Sequence, residues 1–273
     1  NDGSATVTKP NGWNPLASDA NGTAVRLSVY YKIAAGTEGG TTVNFATSAS
    51  EQAAAQVYRI TDWHGTTPPE ISTVVTGNST APNPASLNPE GWSVEATLWI
   101  TVAGQERGDE SGNVSYPANY TNGISTQSGT EVGLCTTHSA RRVHTAASED
   151  PGTFTITATN PWLAFTIAVR PAVYNLTMAV SPVGGGTATD VNNASPYAAG
   201  TVVNITAVPV SGYQFVNWTA PAGLFGNATA AATNFTMPAQ NVTVTANFMA
   251  VYNLTIAVSP VGGGTPTDAT NTS

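Results

Sequence analysis

The sequence predicts an all-β protein: an antiparallel β-sandwich of jelly-roll or immunoglobulin-like type, followed by small β-grasp-like or all-β repeat modules. Three observations predict it. Helical periodicity is almost absent. Apolar stripes of period two recur along the chain, separated by clusters of Gly, Pro, Asn and Asp. A stretch of the C-terminal part returns nearly unchanged further on, which is the signature of a repeat architecture.

The first stripe runs from Val25 to Ile33, where Val25, Leu27, Val29, Tyr31 and Ile33 share one face. Leu98–Val102 and Phe154–Ala158 read as further strands, and Leu163, Phe165, Ile167 and Val169 form the last clear stripe of the first part. Period two with one apolar face implies sheets packed on a single side, and several such strands across residues 1–171 imply a sandwich. The Pro-rich stretch from Thr66 to Pro89 reads as a long surface excursion.

A boundary falls at Arg170-Pro171-Ala172. Beyond it, Val173–Asp190 recurs as Val251–Asp268, a period of 78 residues, with only Met178/Ile256 and Ala188/Pro266 differing. The expected organisation is a sandwich over 1–171, a full repeat over 173–250 and a partial second repeat over 251–273. Within the repeat, Leu176, Met178 and Val180 alternate toward a core. Gly184-Gly185-Gly186 reads as a hairpin turn, Val202–Val208 as the next strand, Tyr213, Phe215 and Trp218 as bulky core anchors, and Val242–Phe248 as the closing strand.

Composition narrows the function. Of 273 residues, 41% are hydrophobic, so the chain can bury a core, whereas only 9% are charged, against about 25% in an average soluble domain. A net charge of −8 repels phosphate backbones and argues against a nucleic-acid partner. The single cysteine, Cys135, excludes an intrachain disulfide. No apolar run reaches the length of a transmembrane helix. No signal peptide is recognisable, and the opening Asn1-Asp2-Gly3 is expected of a processed product, a fragment, or the ordered part of something longer.

Two resemblances add to this reading. Tyr174-Asn175-Leu176-Thr177, Ser181-Pro182 with the triple glycine, Tyr197–Val203, Gly212–Trp218, Met237 and Val242–Phe248 resemble the divergent InlB B-repeat family of bacterial and archaeal surface proteins. That resemblance implies a small β module serving as stalk or adhesive spacer, without catalysis. Residues 1–171 resemble a β-sandwich domain of phage virion and prokaryotic surface proteins. The residues that carry this likeness include Trp13, Arg26–Lys32, Ala55–Ile60, Leu98–Ile100, Tyr116–Tyr120, Ala147–Phe154 and Val169–Pro171. Domains of this look begin with one or two strands ahead of the segment corresponding to Asn1, which leaves an open sheet edge. Strand donation between subunits, from Val251–Ser273, would fill it.

Thirteen Asn-X-Ser/Thr sequons are the densest functional signal: Asn21, Asn78, Asn113, Asn119, Asn175, Asn193, Asn204, Asn217, Asn227, Asn234, Asn241, Asn253 and Asn271. Composition alone predicts about five or six, so N-glycosylation of a surface protein is expected. Other chemistry is weaker. Cys135, His138 and His144 match no standard zinc spacing. The adjacent carboxylates Asp109-Glu110 and Glu149-Asp150 read as solvated turns, and Gly108–Asn113 lacks the EF-hand spacing for calcium. No catalytic residue, cofactor or metal ligand is assigned. Six tryptophans, Trp13, Trp63, Trp92, Trp99, Trp162 and Trp218, read mainly as core.

The leading expectation is an extracellular, cell-surface structural or adhesive protein: a subunit of a glycosylated filament, sheath or stalk that polymerises with itself. The alternatives are a glycan-binding adhesin module of a larger secreted protein and a virion decoration or tail protein.

Overall fold

The computed structural model describes residues 3–92, 94–106, 114–129 and 134–267. Among them it contains seventeen strands and no helix. The chain divides into two compact units, Asn1–Ala172 and Val173–Ser273.

The first unit is built on a long antiparallel sheet. Its strands are β3 (Glu70–Ile71), β4 (Val75–Ser79), β5 (Glu95–Glu106), β6 (Thr121–Gln127), β7 (Cys135–Ala146) and β8 (Asn160–Val169). The order is β3-β8-β5-β7-β6, with β4 sharing the β8 edge beside β3. A hairpin of β1 (Asn14–Asn21) and β2 (Val25–Tyr31) lies over one face as a separate two-stranded sheet.

The central strands correct the expectation of one-sided packing. On one face of β5 and β8, Ile100, Val102, Phe165, Ile167 and Val169 meet Leu27 and Val29 of the hairpin. On the other, Trp99 and Ala168 pack with Leu87 and Tyr120, while Trp162 and Ala164 pack with Phe154 and Ile156. Both faces are therefore buried, and the one that carries the indoles also holds Thr101, Gln105 and Thr166. The alternate positions of β8 are Ala164, Thr166 and Ala168, small enough to leave room for the two indoles.

Two further expectations are corrected here. Thr66–Pro89 is not a surface excursion. It carries β3 and β4, which pair with β8, and its Leu87 is buried. Phe154–Ala158 is not a regular strand. Phe154 and Ile156 are fully buried, but they hang from single hydrogen bonds donated to the carbonyls of Pro82 and Thr80, with one bridge between Thr155 and Ser115.

The second unit is a small two-sheet module. The strands are β9 (Val173–Tyr174), β10 (Leu176–Ser181), β11 (Gly186–Asp190), β12 (Tyr197–Ala198), β13 (Val202–Pro209), β14 (Tyr213–Thr219), β15 (Leu224–Phe225), β16 (Ala232–Thr236) and β17 (Val242–Ala250). One sheet runs β10-β17-β14, with β10 and β17 parallel. The other runs β11-β13-β16-β15 and is antiparallel, and β9 pairs with β12. Of the two readings of the repeat, the all-β one holds, since a β-grasp needs a helix and the described residues contain none. Trp218, Phe235, Ile205 and Val244 fill the core between the sheets, with Leu176, Met178 and Val180 packed into it as their alternation requires.

The triple glycine is not a hairpin turn, because β10 and β11 do not pair; it carries the chain from one sheet to the other. Gly184 has φ +83°, a left-handed conformation that favours glycine. A Cβ on Gly186 would sit 2.6 Å from the Val208 carbonyl oxygen. The strand residues 251–258, which repeat 173–180, form no strand, and Tyr252, Leu254 and Ile256 are exposed.

Candidate functional site

The structure sorts the candidate residues by where β alternation aims them. Cys135, His138 and His144 all stand on β7. Cys135 points to the opposite face from His138 and His144, and six residues of strand separate the two histidines by about 20 Å. They do not converge, and among the described residues no three His, Cys, Asp or Glu side chains cluster as metal ligands do. The Asp109-Glu110 pair and the whole of Gly108–Asn113 lie outside the described residues.

Glu149 overturns the solvated-turn reading of Glu149-Asp150. Its carboxylate is buried, and Arg142 Nη2 lies 2.6 Å from both of its oxygens. Tyr120 donates its hydroxyl to Oε1 at 3.1 Å, and His144 Nδ1 lies 3.1 Å from Oε2. The Arg142 guanidinium also stands over the Tyr120 ring, 5.2 Å from its centre. Burial, with the Glu149 charge beside it, raises the Tyr120 phenol above its ordinary pKa. Charge-assisted hydrogen bonds of this kind hold a buried carboxylate in place. The cluster ties the turn after β7 back onto the sheet, and Arg170 with buried Glu95, at 2.6 and 2.9 Å, joins the end of β8 to the start of β5.

All six tryptophans are buried or half-buried. Trp99 and Trp162 do face the opposite side from the main stripe, as their interruption of it implies, but that side is a second core. No row of exposed indoles offers itself to a sugar among the described residues.

Eleven of the thirteen sequon asparagines are described; Asn113 and Asn271 are not. Nine of the eleven are exposed: Asn78, Asn119, Asn175, Asn193, Asn204, Asn227, Asn234, Asn241 and Asn253. Asn21 is half-buried and donates both Nδ2 hydrogens, to the carbonyls of Gly77 (2.8 Å) and Trp162 (3.1 Å). Asn217 is also half-buried and accepts from Asn247 Nδ2 at 2.8 Å. On the outer face of the β13–β16 ladder, Asn204 and Asn234 are direct cross-strand partners, flanked by Thr206 and Thr236. Across from Asn193, Asp190 organises its loop, accepting from the backbone N–H groups of Asn192 and Asn193 and from the Tyr197 hydroxyl. Burial and this last hydrogen bond push the Tyr197 phenol up to about 12.

One feature was not legible in the sequence. A groove of about 380 Å³ opens in the first unit between β2 and the extended segment 54–60, floored by Ile100, Val102, Ile167 and Val169. Among the described residues β2 pairs with β1 alone, and no strand lies on its second edge. In segment 54–60, half-buried Ala54, Gln56, Tyr58 and Ile60 alternate with exposed Ala55, Val57 and Arg59. Gln56 Nε2 anchors the segment by donating to the carbonyls of Ile124 and Thr137, and Tyr58 bonds to Ser139, but among the described residues no backbone hydrogen bond joins it to a neighbouring strand.

The second unit thus defines a small, helix-free β module with two stacked sheets and a glycine crossover. Residues 176–252 match the family model of the divergent InlB B-repeat domain. The match leaves residues 1–171 outside its span. No curated protein and no solved structure matches the chain.

Proposed function

We propose that this chain is a non-catalytic structural or adhesive component of an extracellular surface, N-glycosylated and assembling with further copies of itself. The observation that carries the reading is the repeat: residues 176–252 match the divergent InlB B-repeat, whose family is associated with surface proteins, and its opening eighteen residues recur almost unchanged at Val251. Recurring modules of this kind build length, with each unit contributing its own small core. The outward faces of the module support the same use. Thr177, Thr243 and Thr219 on one sheet, and Thr187, Thr189 and Asn204 on the other, are exposed, polar and uncharged. Such a surface is hydrated without drawing counter-ions or polyanions. Among the described residues no helix is long and apolar enough to cross a membrane.

Protease shaving of intact producing cells tests the reading, followed by mass spectrometry of the released peptides and electron microscopy of shed material. Release of peptides from both units before cell lysis is the expected result. Peptides that appear only after lysis overturn it.

A further inference from the structure

On the indole-bearing face of the sheet in the first unit, a glutamine amide is buried beside a threonine hydroxyl. Gln105 of β5 is 1% exposed, and neither its carbonyl oxygen nor its nitrogen meets a hydrogen-bonding partner among the described residues. On one flank stands Trp162 of β8, whose indole N–H is spent on Ser79 Oγ. On the other, directly opposite in register, stands Thr136 of β7, 2% exposed, whose Oγ1 is equally unpartnered among the described residues. Ala103, Phe154, Ile156 and Ala164 make the neighbouring core apolar. An amide buried in this state costs more than an apolar side chain of its size.

Residues directly opposite one another across an antiparallel ladder hold their Cβ atoms about 4.5–5.5 Å apart. Cγ and Cδ of Gln105 and Oγ1 of Thr136 span that gap, so the amide carbon and the hydroxyl oxygen can come within bonding reach. His138 follows Thr136 on the same face of β7 and is buried, its ring 6.5 Å from that of Phe154. An acyl carbon, a hydroxyl and an imidazole in one buried chamber are the parts of an acyl transfer. Thr136 has a second glutamine opposite it, Gln127 of β6, but that amide is engaged, donating to the Gly129 carbonyl at 2.6 Å.

We propose that Thr136 and Gln105 join as an intramolecular ester. Thr136 Oγ1 attacks Gln105 Cδ while His138 takes the hydroxyl proton. The Cδ–Nε2 bond then breaks, the proton passes from His138 to the leaving nitrogen, and ammonia departs. No oxidant or reductant is needed, and the imidazole ends as it began. The two hydrogens of Nε2 and the one of Oγ1 all leave in the ammonia, so the reaction removes every unmatched donor of the pair. The step occurs once per chain and its product is a crosslink. It ties β5 to β7 and closes the loop 105–136, a constraint of the kind a disulfide supplies, in a chain whose single cysteine can form none within itself.

Trypsin supplies the test, because cleavage after Arg107 places the two residues on separate peptides, 60–107 and 108–141. The full chain is made in a host that adds no N-glycans, weighed intact by mass spectrometry, then denatured and digested at neutral pH. The expected intact mass is that of the sequence less one ammonia. The two peptides are expected to travel as one species, which mild alkali splits, leaving a glutamate in place of Gln105. Thr136→Val and His138→Gln should each yield the two peptides apart, and Gln127→Asn should leave them joined. The parent protein decides the matter even if a variant does not fold. Separate peptides from the parent, a linked pair that persists in Thr136→Val, or a link undiminished in His138→Gln overturns the proposal.

Discussion

Glu149 carries more of the first unit than its place in a turn suggests. A carboxylate with 1% of its side chain exposed is tolerable only because Arg142 and Tyr120 donate to it, with His144 Nδ1 beside them. Removing the carboxylate leaves the Arg142 guanidinium and the Tyr120 hydroxyl facing apolar surface. Breaking a buried ion pair from one side costs about 3–5 kcal/mol. Arg142 keeps 21% of its side chain in solvent, which moves the expectation to the lower end. Glu149→Leu should therefore lower the unfolding free energy by about 3 kcal/mol, read by chemical denaturation followed through tryptophan fluorescence. Arg142→Met in the same background should return part of the loss, because the orphaned charge goes with it. A Glu149→Leu protein as stable as the parent would mean that the buried pair contributes nothing net.

At the scale of elements, the glycine crossover sets whether the repeat module can close. Gly186 opens β11 against the Phe248 ring and the Val208 carbonyl, and that contact brings the β11 sheet onto β17. The ring can turn, but the carbonyl belongs to the β11–β13 ladder and cannot retreat without breaking it. Gly186→Ala should destabilise the module by about 1–3 kcal/mol, the usual cost of overpacking. The loss should appear as an earlier thermal transition of the Trp218 environment while the Trp99 environment is unchanged. The triple glycine was visible in the sequence, but the crossover was not, since a glycine run says that the chain turns and not which sheet it joins. The same limit explains the other differences. In β8 the alternation of Leu163, Phe165 and Ile167 with Ala164, Thr166 and Ala168 is one of large and small, and it reads as in and out only if Trp99 and Trp162 are forgotten. β3 and β4 are two and five residues long and hold their place by pairing with β8, so no periodicity announces them within Thr66–Pro89. The sequons were legible residue by residue. The groove was not, because its walls lie far apart in sequence and segment 54–60 alternates only through Ala54, Gln56, Tyr58 and Ile60.

Over the whole molecule, a chain with only 9% charged residues must be hydrated by other means, and the placement of the sequons decides which asparagines can supply glycans. A glycan replaces one Nδ2 hydrogen and demands open space beyond it. Asn21 has neither: both hydrogens are spent on the carbonyls of Gly77 and Trp162 where β4 meets β8, so a modified Asn21 would unseat that edge. The nine exposed asparagines meet the demand, but Asn204 and Asn234 compete. As direct cross-strand partners their Cβ atoms stand about 5 Å apart, far closer than two branched sugars can share. Peptide mapping of protein made in an N-glycosylating host should find Asn21 bare, glycans at several of the nine exposed sites, and Asn204 and Asn234 modified on different molecules. The last point is read from peptides that retain both residues after limited digestion. A substantial doubly modified fraction would mean that the β13–β16 ladder does not form before the sugars are attached, and a glycan on Asn21 in folded protein would displace the β4 edge from the place described here.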